Sequence, residues 1–202
     1  MSYNYLFKFL IIGNENTGKT SICKRMCGEQ INSCYDQTIG VEFSTCFTKI
    51  PGKLIKSQLW DTSGRKIFVP LIKIYFKGIA GIILIYDVTN KQSFQAIDGW
   101  LKEIADNKTQ DEKVKIVLIG NKTDKENRQI TWDMGNKKAL DNKLLFFETS
   151  ARMNNNNITN IKRKFCELIL SEYNPNKSHK GIILPKKKKD QENNINDSCR
   201  CC

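Results

Sequence analysis

Eight consecutive residues, Gly13-Asn-Glu-Asn-Thr-Gly18-Lys19-Thr20, have the types and spacing to hold a highly charged anion. They fit the pattern G-x-x-x-x-G-K-[S/T], which cradles phosphates when a strand precedes it and a helix follows. The two glycines permit backbone turns that a side chain would block, so successive N–H groups aim at one anion. The helix N-terminus adds its own N–H groups. Lys19 is then placed to reach the β- and γ-phosphates, and the Thr20 hydroxyl to ligate Mg²⁺. The chemistry implied is binding of a nucleoside triphosphate.

A second constellation selects the base. Asn121-Lys122-Thr-Asp124 directly follows an apolar run. A carboxylate at Asp124 can accept from both N1–H and the 2-amino group of guanine. Adenine offers no such donor pair, and unmet hydrogen bonds of this kind discriminate by about 10⁴-fold. Glu148-Thr-Ser150-Ala151-Arg152 supplies a further loop after a later apolar run.

The elements that must position these residues are legible from periodicity. Residues 7–12 form an apolar strand, and Ile22, Cys23 and Met26 fall at helical spacing after the glycine loop. Residues 27–40 lose the pattern and read as exposed loop. Residues 41–47 and 54–60 read as a hairpin about Pro51-Gly52. Residues 79–86 and 114–119 are nearly continuous apolar runs, as strands covered on both faces must be. Helices are expected over 93–104 and about 132–140, a strand over 144–147, and a last helix with Ile158, Ile161, Phe165, Leu168 and Ile169 on one stripe. Alternating strands and helices imply crossover units and a mostly parallel sheet, with the ligand at the carboxyl ends of its strands.

These motifs, with Thr38-Ile39-Gly40-Val41-Glu-Phe43, Trp60-Asp61-Thr-Ser-Gly64, Tyr75-Phe-Lys-Gly and Tyr86-Asp-Val-Thr, resemble the small GTPases and among them the Rab family. The resemblance covers residues 3–173 and the terminal cysteines. It implies an α/β phosphate-loop G domain over residues 1–173, a six-stranded mostly parallel sheet with five helices on its two faces, and a GTP/GDP switch. On that resemblance Thr20, Thr38 and Asp61 hold Mg²⁺, and Lys19, Thr38, Gly64 and Arg65 surround the reacting phosphate. Gly13, Glu15, Asn16, Thr17, Gly18, Ser21 and Tyr35 complete the nucleotide contacts on one side. Asn121, Lys122, Asp124, Ser150, Ala151 and Arg152 complete them on the other. Ile39, Gly40, Val41, Phe43, Trp60 and Tyr75 correspond to the surface that reads effectors. Partners implied are effectors, an exchange factor, a GTPase-activating protein, a Rab escort protein and a GDP-dissociation inhibitor. The place implied is the cytoplasmic face of endomembranes, in vesicle traffic, cycling with the cytosol.

The chain departs from the family pattern at four points, one of them Lys66-Ile67 in place of the usual Glu-Arg of the second switch. Arg65 stands where a glutamine orients the attacking water. Its guanidinium donates hydrogen bonds and accepts none, so slow hydrolysis is expected; the rival is an arginine finger in cis. Glu15 stands near the γ-phosphate where relatives carry a small residue, which calls for a neutralising partner, Arg65 or Lys66, unless the side chain points to solvent. Ile31 replaces an aromatic that covers the guanine ring, which weakens stacking.

Composition agrees with one domain and a tail. The 202 residues are 40% hydrophobic and carry a formal charge of +12. There is no run of eighteen apolar residues and no signal-peptide pattern, so a cytosolic protein is expected, with the five domain cysteines (Cys23, Cys27, Cys34, Cys46 and Cys166) as ordinary thiols. The densest basic run, Lys186-Lys187-Lys188-Lys189, has no interleaved aromatics. It therefore suits an anionic membrane and not nucleic acid. Residues 174–202 read as a flexible tail, and Cys201 and Cys202 as the prenylated end of a lipid-anchored protein. Two other readings stay open at this stage: a hydrolysis-deficient, GTP-loaded membrane scaffold, and a metabolic phosphate-loop kinase.

Overall fold

The computed structural model describes residues 2–31, 37–107, 114–153, 157–173 and 182–184. Seven strands and six helices occur in the order β1 (Tyr5–Ile12), α1 (Lys19–Met26), β2 (Val41–Ile50), β3 (Lys53–Thr62), α2 (Val69–Lys73), β4 (Gly81–Asp87), α3 (Lys91–Gln95), α4 (Ile97–Asn107), β5 (Lys115–Asn121), α5 (Trp132–Asp141), β6 (Leu145–Glu148), α6 (Asn157–Ser171) and β7 (Ile182–Ile183). Single 3₁₀ turns, Lys66–Phe68 and Ile74–Phe76, flank α2.

Six strands lie in the order β2-β3-β1-β4-β5-β6. β2 runs antiparallel to β3, from Val41 opposite Thr62 to Ile50 opposite Lys53, and the other five are mutually parallel. The expected α/β architecture is therefore the observed one. The expected helix over 93–104 is divided at Ala96 into α3 and α4; counted as one, it gives the five helices anticipated.

Alternation along β1 explains why the sheet needs cover on both faces. Phe7, Phe9 and Ile11 point to a core shared with Ile22 and Met26 of α1 and Ile161 and Phe165 of α6. Leu10 and Ile12 point to the opposite core, with Ile72 of α2 and Ile97, Trp100 and Ile104 of α4. Every residue of β4 is buried, which accounts for its unbroken apolar sequence. Each buried Ile and Leu of this strand contributes about 1.5–3 kcal/mol by leaving water. One charge enters the first core: Lys162 of α6 donates to the Met26 carbonyl at 2.5 Å and the Phe47 carbonyl at 3.3 Å, tying α6 to α1 and β2.

The sequence reading did not foresee β7. Ile183 pairs with Leu6 and Ile182 with Phe7, antiparallel, where β1 extends beyond the start of its pairing with β4. Ile182 packs against the first core.

Candidate functional site

The carboxyl ends of β1, β3, β4, β5 and β6 bring the sequence-selected loops to one edge. β1 delivers Gly13, which turns against the Ile85 carbonyl of β4. Gly18 caps α1 at φ +90°, a backbone conformation that favours glycine. Lys19 opens the helix almost fully buried, with Nζ donating to the Asn14 carbonyl at 2.7 Å. Burial pulls its pKa down to about 8, partly offset by the charges of Asp61 and Glu15. Thr17 is buried and donates its hydroxyl to the same carbonyl, so it shapes the loop from beneath.

Beside this loop three oxygen-bearing side chains converge. The Thr20 hydroxyl donates to Asp61 Oδ2 at 2.6 Å and lies 2.8 Å from the Thr38 hydroxyl, which is itself 3.5 Å from Asp61 Oδ2. Asp61 is only 2% exposed, and its Oδ1 is buried without a protein partner. Burial is the main cause lifting its pKa to about 6, against the opposing pull of the Thr20 hydrogen bond and Lys19. Two hydroxyls and a carboxylate with one oxygen uncommitted form a hard donor set that suits Mg²⁺. Metal must displace the proton from Asp61, so Mg²⁺ affinity falls by up to tenfold per pH unit below about 6 and is flat above 7. Calorimetric Mg²⁺ titration of wild type and Asp61→Asn across pH 5–8 checks this; the variant binds more weakly and lacks this pH-dependent component.

The base end is a cavity of about 230 Å³, bounded by Asn16, Gly18 and Ser21 on the loop side and by Asn121, Lys122, Asp124, Ser150, Ala151 and Arg152 on the other. Asn121 is buried and joins these segments: its Nδ2 donates to the Thr17 carbonyl at 2.8 Å and its Oδ1 accepts from Ala151 N–H at 3.1 Å. Its amide thus fixes the loops while still lining the cavity, and Asp124 is exposed at the rim. Lys122 has φ +69° and pairs with Asp87 at 2.6 Å. Arg25 of α1 donates to the Ala151 carbonyl at 2.9 Å and holds the last loop from outside.

A cleft of about 20 Å³ continues from Asn16 and Gly18 past Lys19 and Thr20 to Gln37, Thr38 and Gly64. Gly64 approaches the phosphate loop so closely that a Cβ would lie 2.1 Å from the Glu15 nitrogen, so no side chain fits there. Arg65 Nη2 donates to Gln37 Oε1 at 2.5 Å, and its Nε lies 3.7 Å from Glu15 Oε2. Glu15 thus has the cationic partner its position called for. Outside the cleft, Phe43 packs edge-on against Trp60 and Trp60 tilted against Tyr75, with ring centroids 5.0 and 4.8 Å apart. Ile39 and Ile67 are 82% and 74% exposed, whereas Gly40 is buried and Val41 half-buried.

Three site residues escaped the sequence reading. Asp87 ends a buried strand, a position that favours ligand contact, yet its partner Lys122 is remote in sequence. Gln37 is adjacent to Thr38, whose hydroxyl meets Thr20 and Asp61, a signal that was available. Asn14 accepts from Trp100 Nε1 at 2.9 Å and fastens the loop to α4. Ile31 is half-buried against the first core and does not line the base cavity. Tyr35, Lys186-Lys187-Lys188-Lys189, Cys201 and Cys202 lie outside the described residues.

Comparison with known proteins finds a family model described as the Ras family matching residues 8–171. The chain is 40% identical to the Ras-related protein Rab-8A of Bos taurus over 156 residues, covering 77% of this chain and 74% of that protein. It is 38% identical to Rab-8B of Pongo abelii (83% and 78% covered) and 39% identical to Rab-13 of Rattus norvegicus (83% and 80%), each over 168 residues.

Proposed function

Because the chain belongs to the Ras family as a Rab-type small GTPase, binding GTP or GDP with Mg²⁺ and hydrolysing GTP, we propose that it is a lipid-anchored switch in vesicle-mediated traffic with an unusually long-lived GTP state. The observation that carries the last point is Arg65, which sits beside the γ-phosphate end of the cleft with donors only and is engaged by Gln37 and Glu15. Lys19 neutralises phosphate charge, Thr20, Thr38 and Asp61 hold the metal, and Gly64 N–H meets the γ-phosphate. Mg²⁺ so held supplies charge neutralisation across the β- and γ-phosphates. Losing the γ-phosphate removes what holds Thr38 and Gly64 together, and the exposed surface of Ile39, Phe43 and Ile67 changes with them. That surface supports effector docking between the two loops. Exchange factor, activating protein, escort protein and dissociation inhibitor follow as kinds of partner from the family. The tail cysteines Cys201 and Cys202 carry the lipid, and the four lysines before them add about 1 kcal/mol each on an anionic leaflet.

The test is the nucleotide on purified protein, separated by chromatography and followed over hours. Guanine nucleotide is expected, with GTP converting slowly to GDP; adenine nucleotide in its place sinks the reading. Arg65 also favours a second reading, a GTP-loaded scaffold, in which GDP never accumulates. Exchange gives a further expected result. Ile31→Phe leaves release of fluorescent GDP within about twofold at equal Mg²⁺, because position 31 packs against the first core and does not line the base cavity. Slowing by about 2- to 10-fold, the equivalent of one stacking contact, would return position 31 to the base.

A further inference from the structure

We infer that Gln37 is the side chain that places the attacking water, and that Arg65 is the residue that positions Gln37; the inference rests on the GTPase reading above. The position after Gly64 needs a hydrogen-bond acceptor, and Arg65 has none. The neighbouring loop provides one. Gln37 lines the phosphate cleft with Thr38, Lys19 and Gly64, and its Oε1 accepts from Arg65 Nη2 at 2.5 Å. On its other side the guanidinium lies 3.7 Å from Glu15 Oε2, so it is bracketed between the phosphate loop and Gln37.

Gln37 is fixed along the chain as well. The next residue, Thr38, is buried with its hydroxyl 2.8 Å from that of Thr20. A glutamine amide has two acceptor lone pairs and two donor hydrogens. Arg65 engages one lone pair. The other is open to an O–H of water, and Nε2–H to a γ-phosphate oxygen. Asn16 is the other amide on the cleft, but it also lines the base cavity and so stands toward the far end of the triphosphate. Gln37 stands beside Arg65, which directly follows Gly64 at the γ end.

In the step so assisted, the water oxygen bonds to the γ-phosphorus as the bond from that phosphorus to the bridging oxygen breaks. The electron pair of the broken bond leaves on GDP, and the water proton ends on an oxygen of the released phosphate. Gln37 is unchanged; its contribution is orientation, where misplacement by about 1 Å costs on the order of 100-fold.

The experiment is single-turnover hydrolysis on full-length protein preloaded with GTP, with GTP affinity measured on every variant. Gln37→Ala is expected to lose at least about tenfold in rate with affinity held within about threefold. Arg65→Ala loses a similar factor, because Gln37 loses its holder. Made in an Arg65→Gln background, Gln37→Ala loses less than about threefold, since the glutamine at 65 then orients water directly. Wild-type hydrolysis in Gln37→Ala overturns the inference. So does an equal tenfold loss in both backgrounds, which assigns Gln37 a structural role, and so does loss of GTP binding in the variant. Failure of the GTPase reading is distinct: wild type then shows no preference for GTP over ATP before any variant is compared.

Discussion

Replacing Asp124 with alanine is expected to lower GTP affinity by about a thousandfold or more while leaving ATP affinity within about threefold. The carboxylate stands at the rim of the base cavity, exposed to water, while the loop beneath it is locked by Asn121 to Thr17 and Ala151. Guanine presents two donors to it in one plane, and the pair is charge-assisted on the acceptor side. In Asp124→Ala these donors enter the cavity unmet, and the desolvation penalty falls on the nucleotide. Because the carboxylate forms no contact that holds the fold, the melting temperature of the nucleotide-free protein stays constant, which separates lost recognition from lost structure. Competition of GTP and ATP against a fluorescent nucleotide checks the result. Equal affinities in wild type contradict it, as does a variant that still prefers GTP.

The second large effect is a gain. Arg65→Gln is expected to raise single-turnover GTP hydrolysis by about tenfold or more, because it places an acceptor and a donor where the chain now has donors alone. The ion pair it removes is about half exposed on both sides, and such pairs contribute at most about 1 kcal/mol. Stability should therefore change little. A slower variant would show that the guanidinium itself assists hydrolysis, by charge as an arginine finger or by holding Gln37. The comparison is made at saturating Mg²⁺ and above pH 7, where Asp61, with its pKa near 6, is ionised.

Where a local pattern dictates the outcome, the sequence was sufficient. The glycine loop lies between β1 and α1 because an apolar run must end before a helix that starts on Lys19. The alternation in β2 and β3 leads to a ten-residue ladder, and the unbroken apolar run of β4 to a strand buried along its whole length. Contacts between remote segments were less legible. The sequence places Asn121 at the base, and it does line that cavity, but that its amide also bridges two loops is visible only in the fold. The bracket of Glu15, Arg65 and Gln37 needs three loops in register, and Gln37 gives no periodic signal. The division at Ala96 leaves no mark either, since alanine favours a helix and the break depends on how α3 and α4 pack. Two isoleucines in a lysine-rich tail are too short a pattern to announce a strand.

Those two isoleucines nonetheless decide how the molecule is held. With Ile183 beside Leu6 and Ile182 beside Phe7, the chain departs from the start of β1, the pole opposite the glycine loop at its end. At the rise of an extended strand the two poles are roughly 20 Å apart. Whatever the chain carries after Leu184 therefore joins the body at the far end of β1 from the nucleotide loops, and releasing β7 would free that junction without touching them.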